Sequence, residues 1–292
     1  MQTPARALPE RAASAELAPL MARIRAEFAQ PAWPWLGEGL ARVVDWQDAA
    51  YGALYLNEVA RWARQDSDPQ ATLTIEAARW IAVAMAYDDV VGVADLKTRP
   101  TRATRLRGEV GAAGDDVIGV EEYFHPRLQE ALGMLPERWA ARIERSEPLS
   151  RFLSRRLGSG QRIHTHTVSG YLKLRMVAGM RRWRLASRRH ADEMAHLRQW
   201  LAIARQALDG GDAALAAEVL RCRRLIKGYS DTHARGLGRF DRLMRAAQRL
   251  LGQPDAAAKL QALREAALKD HEGRALAQQE QALGLQAQPP TH

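Results

Sequence analysis

Cysteine is almost absent from this chain: 292 residues hold one, Cys222. A lone thiol excludes an internal disulfide. It also excludes an iron–sulfur cluster held by this chain alone, which needs about four cysteines, and a cysteine-rich zinc site. Long apolar runs are missing too, since no stretch approaches the ~18 uncharged residues of a membrane helix. The opening residues, MQTPARALPERAASAELAP, have no apolar core, so no secretory signal is expected and the expected compartment is the cytoplasm. The phosphate-loop and nucleophile-elbow patterns GxGxxG, GxxxxGK(S/T) and GxSxG are absent.

What is present in excess is positive charge. Lys and Arg number 43 against 34 Asp and Glu, a net charge of +9. The excess is local. From Arg145 to His190 there are twelve Arg and Lys and one acid, Glu147, so the remainder of the chain is close to neutral. A basic segment of this kind attracts phosphates, nucleic acid, an anionic membrane or an acidic protein face.

A hydrophobic fraction of 47% and a charged fraction of 26% are those of a soluble globular chain, with one large domain or two small ones. The expected organisation is a disordered tail over 1–13, a helical domain over 14–251, a C-terminal helix over 252–285 and a disordered tail over 286–292. Apolar residues recur at helical spacing through most of the interior. Helices are predicted from Ser14 to Phe28, Ala50 to about Gln65 and Thr74 to about Asp95, the first interrupted by the proline segment 31–37. A register change falls at Arg99-Pro100, and 117–124 reads as a short strand or a helical turn. Pro136 and Pro148 open two more helices. Others follow over 171–183, 187–208, 212–226, 232–250 and 254–283. The segment QRIHTHTVSG (161–170) is the least helical part of the interior. The predicted fold is therefore all-α, a multi-helix array or bundle with one short extended segment near 161–168.

Four clusters have chemical potential. In the first, His164 and His166 lie two apart on an extended segment, where both imidazoles face one side and can share a metal. Flanking Arg162, Lys173 and Arg175 oppose a cation there, and a hydrogen-bonded polar loop is the plainer reading. In the second, Glu-x-x-His occurs at Glu122/His125 and at Glu193/His196. On helices such pairs, with two further glutamates, are the ligand set of di-iron bundles. Pro126 directly after His125 argues against a continuous helix there, and two chance matches are unsurprising.

In the third cluster, LIKGYSDTHARGLGRF (225–240), Lys227, Tyr229, Asp231, His233 and Arg235 fall within nine residues at a helix junction. Asp231 suits an N-cap and Gly228 a C-cap, so a capped turn is the plain reading. An anion or partner site is the functional one. In the fourth, AYDDVVGVADLKTRPTRATRLR (86–107), Asp88, Asp89 and Asp95 meet Lys97, Arg99, Arg102, Arg105 and Arg107. Ion pairing within and between helices is the plain reading, and a basic ridge for an acidic partner the other.

The segments MAYDDVVGVADLKTRPTR, VEEYFHPRLQE, GMRRW and RLIKGYSDTHARGLGRF, in this order, resemble the helical C-terminal domain of bacterial indolepyruvate oxidoreductase subunit beta, in the ferredoxin-type 2-oxoacid oxidoreductases. WQDAAYGALYL (46–56) fits the same domain, and the resemblance covers about residues 15–250. It implies a subunit or split module of an oxidoreductase that decarboxylates aryl 2-oxoacids, without the catalytic domain that usually precedes the helical one. It also implies that thiamine diphosphate and iron–sulfur clusters sit on partner subunits and that this chain holds no cofactor. No catalytic residue is carried over to any position.

The sequence is compatible with three functions. The first is a non-catalytic accessory or assembly module, or split subunit, whose partner is the catalytic subunit or an acidic carrier such as ferredoxin; Arg181, Arg182 and Arg184 would supply long-range attraction. The second is a basic helical nucleic-acid- or phosphate-binding protein. Against it, the basic window has only Phe152, Tyr171 and Trp183 as aromatics and no known nucleic-acid motif. The third is a helical di-iron enzyme. No membrane partner is expected.

Overall fold

A computed structural model describes residues 7–111, 121–124, 128–158, 161–164, 167–227, 230–269 and 272–285. The chain is all-α, with one short antiparallel ribbon among the described residues, and forms two compact units: 1–87 with 196–292, and 88–195.

The first unit begins with α1 (Ala18–Glu27), α2 (Trp33–Trp46), α3 (Ala49–Ala63) and α4 (Thr72–Met85). The proline segment acts as its composition suggests: a 3-10 turn at Gln30–Ala32 precedes α2, and Pro34 occupies its first turn. Asp48 caps α3, its carboxylate accepting the Tyr51 N–H at 2.8 Å. The buried interior includes Tyr55, Trp62, Ile81, Trp200, Leu220 and Phe240. The Tyr55 hydroxyl donates to the Ala78 carbonyl at 2.9 Å, and burial raises its pKa.

The second unit holds α5 (Val90–Thr98), α6 (Pro100–Val110), β1 (Glu121–Phe124), α7 (Leu128–Gly133), α8 (Glu137–Arg145), α9 (Glu147–Gly158), β2 (Gln161–His164) and α10 (Val168–Gly179), then a 3-10 segment, Met180–Ala186. β1 and β2 pair antiparallel, with Glu121 opposite His164 and Phe124 opposite Gln161. Helix α11 (Arg188–Asp209) starts in this unit and continues into the first from His196 on. There the chain ends in α12 (Ala213–Arg221), α13 (Ser230–Leu250), α14 (Ala256–Lys269) and α15 (Arg274–Ala282).

Three expectations change. The helix predicted over Thr74–Asp95 is two helices. The Asp89 carboxylate accepts the Gly92 N–H at 2.6 Å and starts α5 afresh, so α4 and α5 fall in different units. The single C-terminal helix is also two, with Gly273 at φ 82° before α15. Its first half, α14, packs on α12 and α13 as part of the first unit, so the chain divides at 88 and 195 and not at 251. Near the N-terminus, Pro9, within the 1–13 segment expected to be a disordered tail, accepts a hydrogen bond from Arg25 Nη2 at 2.5 Å. Residues 1–6 and 286–292 lie outside the described residues.

Buried glutamates in the first unit are matched by arginines of the same unit. Glu218 and Glu76 are both buried. Arg221 reaches Glu218 at 2.9 Å and Glu76 at 3.2 Å, and Arg264 pairs with Glu218. No helix among the described residues is long and apolar enough to cross a membrane.

Candidate functional site

The second unit has the composition of a protein with part of its core on the outside. Its buried apolar side chains, among the described residues, are Val91, Ala94, Leu132, Ala140, Leu174 and Ala178. Its exposed large apolar side chains are more numerous, and include Leu96, Trp139, Phe152, Leu172, Met176 and Trp183. In the first unit, Leu54 alone among the described residues is of that kind. Large apolar side chains exposed in this number are candidates for contact with another molecule.

A buried ion pair organises this surface. Arg184 is 4% exposed, with Nε 2.8 Å from Asp89 Oδ2 and Nη2 donating to Oδ1 at 3.1 Å. Asp89 thus serves two elements, capping α5 and tethering the 3-10 segment that follows α10. Burial pushes its carboxyl up, while Arg184 and the Gly92 N–H pull it back. Arg184, expected beside Arg181 and Arg182 as a surface cation, is instead a tether, because a buried carboxylate requires a partner charge. Its neighbours face out. Trp183 is 56% exposed, and the Arg182 guanidinium lies 4.5 Å from its ring centroid. Arg181 is half-buried. His190, capped from Ser187 Oγ, has its pKa lowered by burial and by Arg184, with Glu193 opposing.

Helix α10 lies against α5. The Tyr171 hydroxyl meets the Thr98 carbonyl at 3.4 Å, and Leu174, Val177 and Ala178 pack on Ala94. Arg175 comes within 3.9 Å of Asp95, whose carboxylate is already held by Arg99 through Nε at 2.8 Å and Nη2 at 2.6 Å. Asp95 and Arg99 therefore form the helical ion pair of the plain reading, and Lys97 lies between them, half-buried in the last turn of α5.

Among the described residues, the other candidates are not brought together. Glu122 lies in β1, a strand and not the helix on which the di-iron reading of Glu-x-x-His depends. His125 is outside the described residues, as are His166 and Tyr229. His164 ends β2. Glu193 is buried and paired with Arg189 at 2.6 Å, while His196 stands 3.8 Å from Asp241 and 5.1 Å from the Phe240 ring. Among the described residues no group of three or more His, Cys, Asp or Glu could hold a metal ion. Cys222 is buried and its thiol pKa raised, the condition of an unreactive thiol.

In the 225–240 cluster, Lys227 is exposed in the turn, Asp231 is the second residue of α13, and His233 and Arg235 follow within its first two turns. The helix starts at Ser230, one residue before the expected cap position. What the motif visibly specifies is packing. A Cβ at Gly236 would stand 2.5 Å from the Leu225 carbonyl oxygen, so glycine lets α13 approach the Cys222–Leu225 turn.

Residues 34–246 match the family of unknown function DUF6537. The chain belongs to this family. No curated protein and no solved structure matches it. The span that makes this a DUF6537 protein takes in the Asp89–Arg184 pair, all of α10 and the Gly236 contact, and it stops before α14 and α15. Two of the site's features went unread in the sequence. The Asp89–Arg184 pair joins residues 95 apart, which no local pattern reveals. The outer face of α10 had a signal: apolar residues at 168, 172 and 176 as well as at 174 and 178.

Proposed function

We propose that this chain is a non-catalytic accessory or assembly module, or a split subunit, of an indolepyruvate (aryl 2-oxoacid) ferredoxin oxidoreductase, working in the cytoplasm. Its 88–195 unit docks on acidic surface of the catalytic subunit, or of an electron carrier such as ferredoxin. Thiamine diphosphate and the iron–sulfur clusters belong to the partners, and this chain contributes shape and charge. The ordered motifs from MAYDDVVGVADLKTRPTR to RLIKGYSDTHARGLGRF support the choice of oxidoreductase.

The observation that carries the docking reading is the coincidence of two surfaces in one unit. Pro148 to Ala191 contains eleven Arg and Lys and no Asp or Glu. The same stretch exposes Leu149, Phe152, Leu172, Met176, Trp183 and Leu185. Charges of one sign steer a partner of the other, and the apolar side chains hold it once water is displaced.

The test is co-purification with the catalytic subunit of an indolepyruvate oxidoreductase. The two should co-elute, and the association rate should fall steeply as salt rises from about 0.01 to 1 M, over which the screening length shortens from ~30 to ~3 Å. This chain alone, supplied with thiamine diphosphate and an electron acceptor, should not oxidise indolepyruvate. Failure to co-elute at low salt, or turnover by the isolated chain, contradicts the proposal. Tight binding to duplex DNA in place of the subunit would favour a nucleic-acid-binding function.

A further inference from the structure

We propose that the outward stripe of α10, formed by Val168, Leu172 and Met176, seats an acidic amphipathic helix of a partner protein. The inference deepens the docking reading and rests on it only for which protein carries that helix. Helix α10 has two apolar faces. At 3.6 residues per turn, Gly170, Leu174, Val177 and Ala178 share one face, and these are the residues that are buried or packed on α5. Val168, Leu172 and Met176 share the opposite face and are 77%, 55% and 75% exposed. A helix apolar on all sides belongs in an interior; this one has covered half of its apolar surface within its own unit.

The spacing identifies the shape of the occupant. Side chains at i, i+4 and i+8 cover about 12 Å, or two turns, the footprint of one helix laid along another with anchors at matching spacing. Met176 suits such a seat, because an unbranched thioether adapts to the groove it meets. Charge identifies the chemistry. On the wheel, Lys173 and Arg175 fall on either side of the stripe, both exposed, and α10 contains no acid. Arg181 and Arg182 follow in the next segment. The complement is an apolar ridge with Glu or Asp on both flanks. A second copy of this chain would bring the same basic flanks against these, and like charges across an interface oppose binding.

The probe is a fluorescein-labelled synthetic helical peptide with leucines at i, i+4 and i+8 and glutamates on both flanks, titrated against the full chain. Controls are a scrambled peptide of equal composition and vesicles of phosphatidylserine and phosphatidylcholine. The ordered peptide should bind at least tenfold more tightly than the scrambled one. Leu172→Asp should remove that difference, and Lys173→Glu should weaken binding several-fold, with the circular dichroism spectrum and melting temperature of both variants unchanged. Met176→Gln, a milder change to the same stripe, serves if Leu172→Asp perturbs folding. Equal binding of the two peptides, or binding indifferent to the stripe variants, overturns the inference. Stripe-dependent binding to vesicles without peptide binding overturns it in favour of a lipid surface. The same variants separate it from the broader reading. A catalytic subunit that binds Leu172→Asp as well as the parent leaves the docking reading standing and this one refuted. A peptide result as expected with no subunit binding does the reverse.

Discussion

At Gly236 the backbone of α13 runs so close to Leu225 that a methyl group would stand 2.5 Å from a carbonyl oxygen, and backbone has little freedom to yield. Gly236→Ala should therefore destabilise the chain by roughly 1–3 kcal/mol, as overpacking does, despite alanine's better helix propensity. A denaturant titration showing no loss would mean that the junction is looser than this contact implies. A contrast between neighbouring arginines is sharper. Arg184→Glu leaves Asp89 buried beside a second negative charge and should cost at least the roughly 3–5 kcal/mol of a broken buried pair. Arg182→Glu, on an exposed side chain, should move the melting temperature little. Equal effects would remove the distinction between tether and docking charge.

His190 supplies a pH dependence. Its folded-state pKa lies below the ordinary 6.5 because burial and Arg184 disfavour the imidazolium. The unfolded chain then binds the proton more readily, so stability is lost as pH falls below about 6.5 toward the lowered folded value. Melting temperatures measured from pH 7.5 to 5 should fall less in His190→Gln than in the parent. Identical slopes would show that His190 does not contribute.

Among the elements, those with local causes were legible in the sequence. The helix expected from 212 does start there, with Asp212 accepting the Leu215 N–H as an Asp after a Gly-Gly turn suggests; the Asp48 cap of α3 was not read. Pro100 opens α6 where the register change was expected. The break at 86–89 was hidden, because apolar spacing runs on through Val93 and the helix start depends on one capping carboxylate. The extended segment was visible at Gln161–His164, and 117–124 read as either a strand or a helical turn; the pairing of β1 with β2, which selects the strand, is a long-range fact. Helix α10 gives the clearest case. Its helical period was legible, and which apolar face would remain uncovered was not. That asymmetry predicts a split in mutational cost: Leu174→Ala, on the covered face, should cost about 2–5 kcal/mol, and Leu172→Ala within about 0.5 kcal/mol. Similar costs at the two positions would show that the outer stripe is already packed.

For the whole molecule, charge and burial are divided between two units of different character. The first has large buried side chains and buried glutamates matched by arginines. The second, among its described residues, has a thin core and exposed apolar side chains, and it carries the acid-free basic stretch. Few buried apolar contacts mean low local stability, so amide hydrogens of α10 should exchange sooner than those of α12 in the uncomplexed chain. Hydrogen exchange of the full chain, with and without the catalytic subunit of an indolepyruvate oxidoreductase, tests the docking role most directly. Binding should slow exchange across 168–186 and leave 213–225 unchanged. A stable complex with no added protection in 168–186, or with protection confined to the first unit, would contradict it.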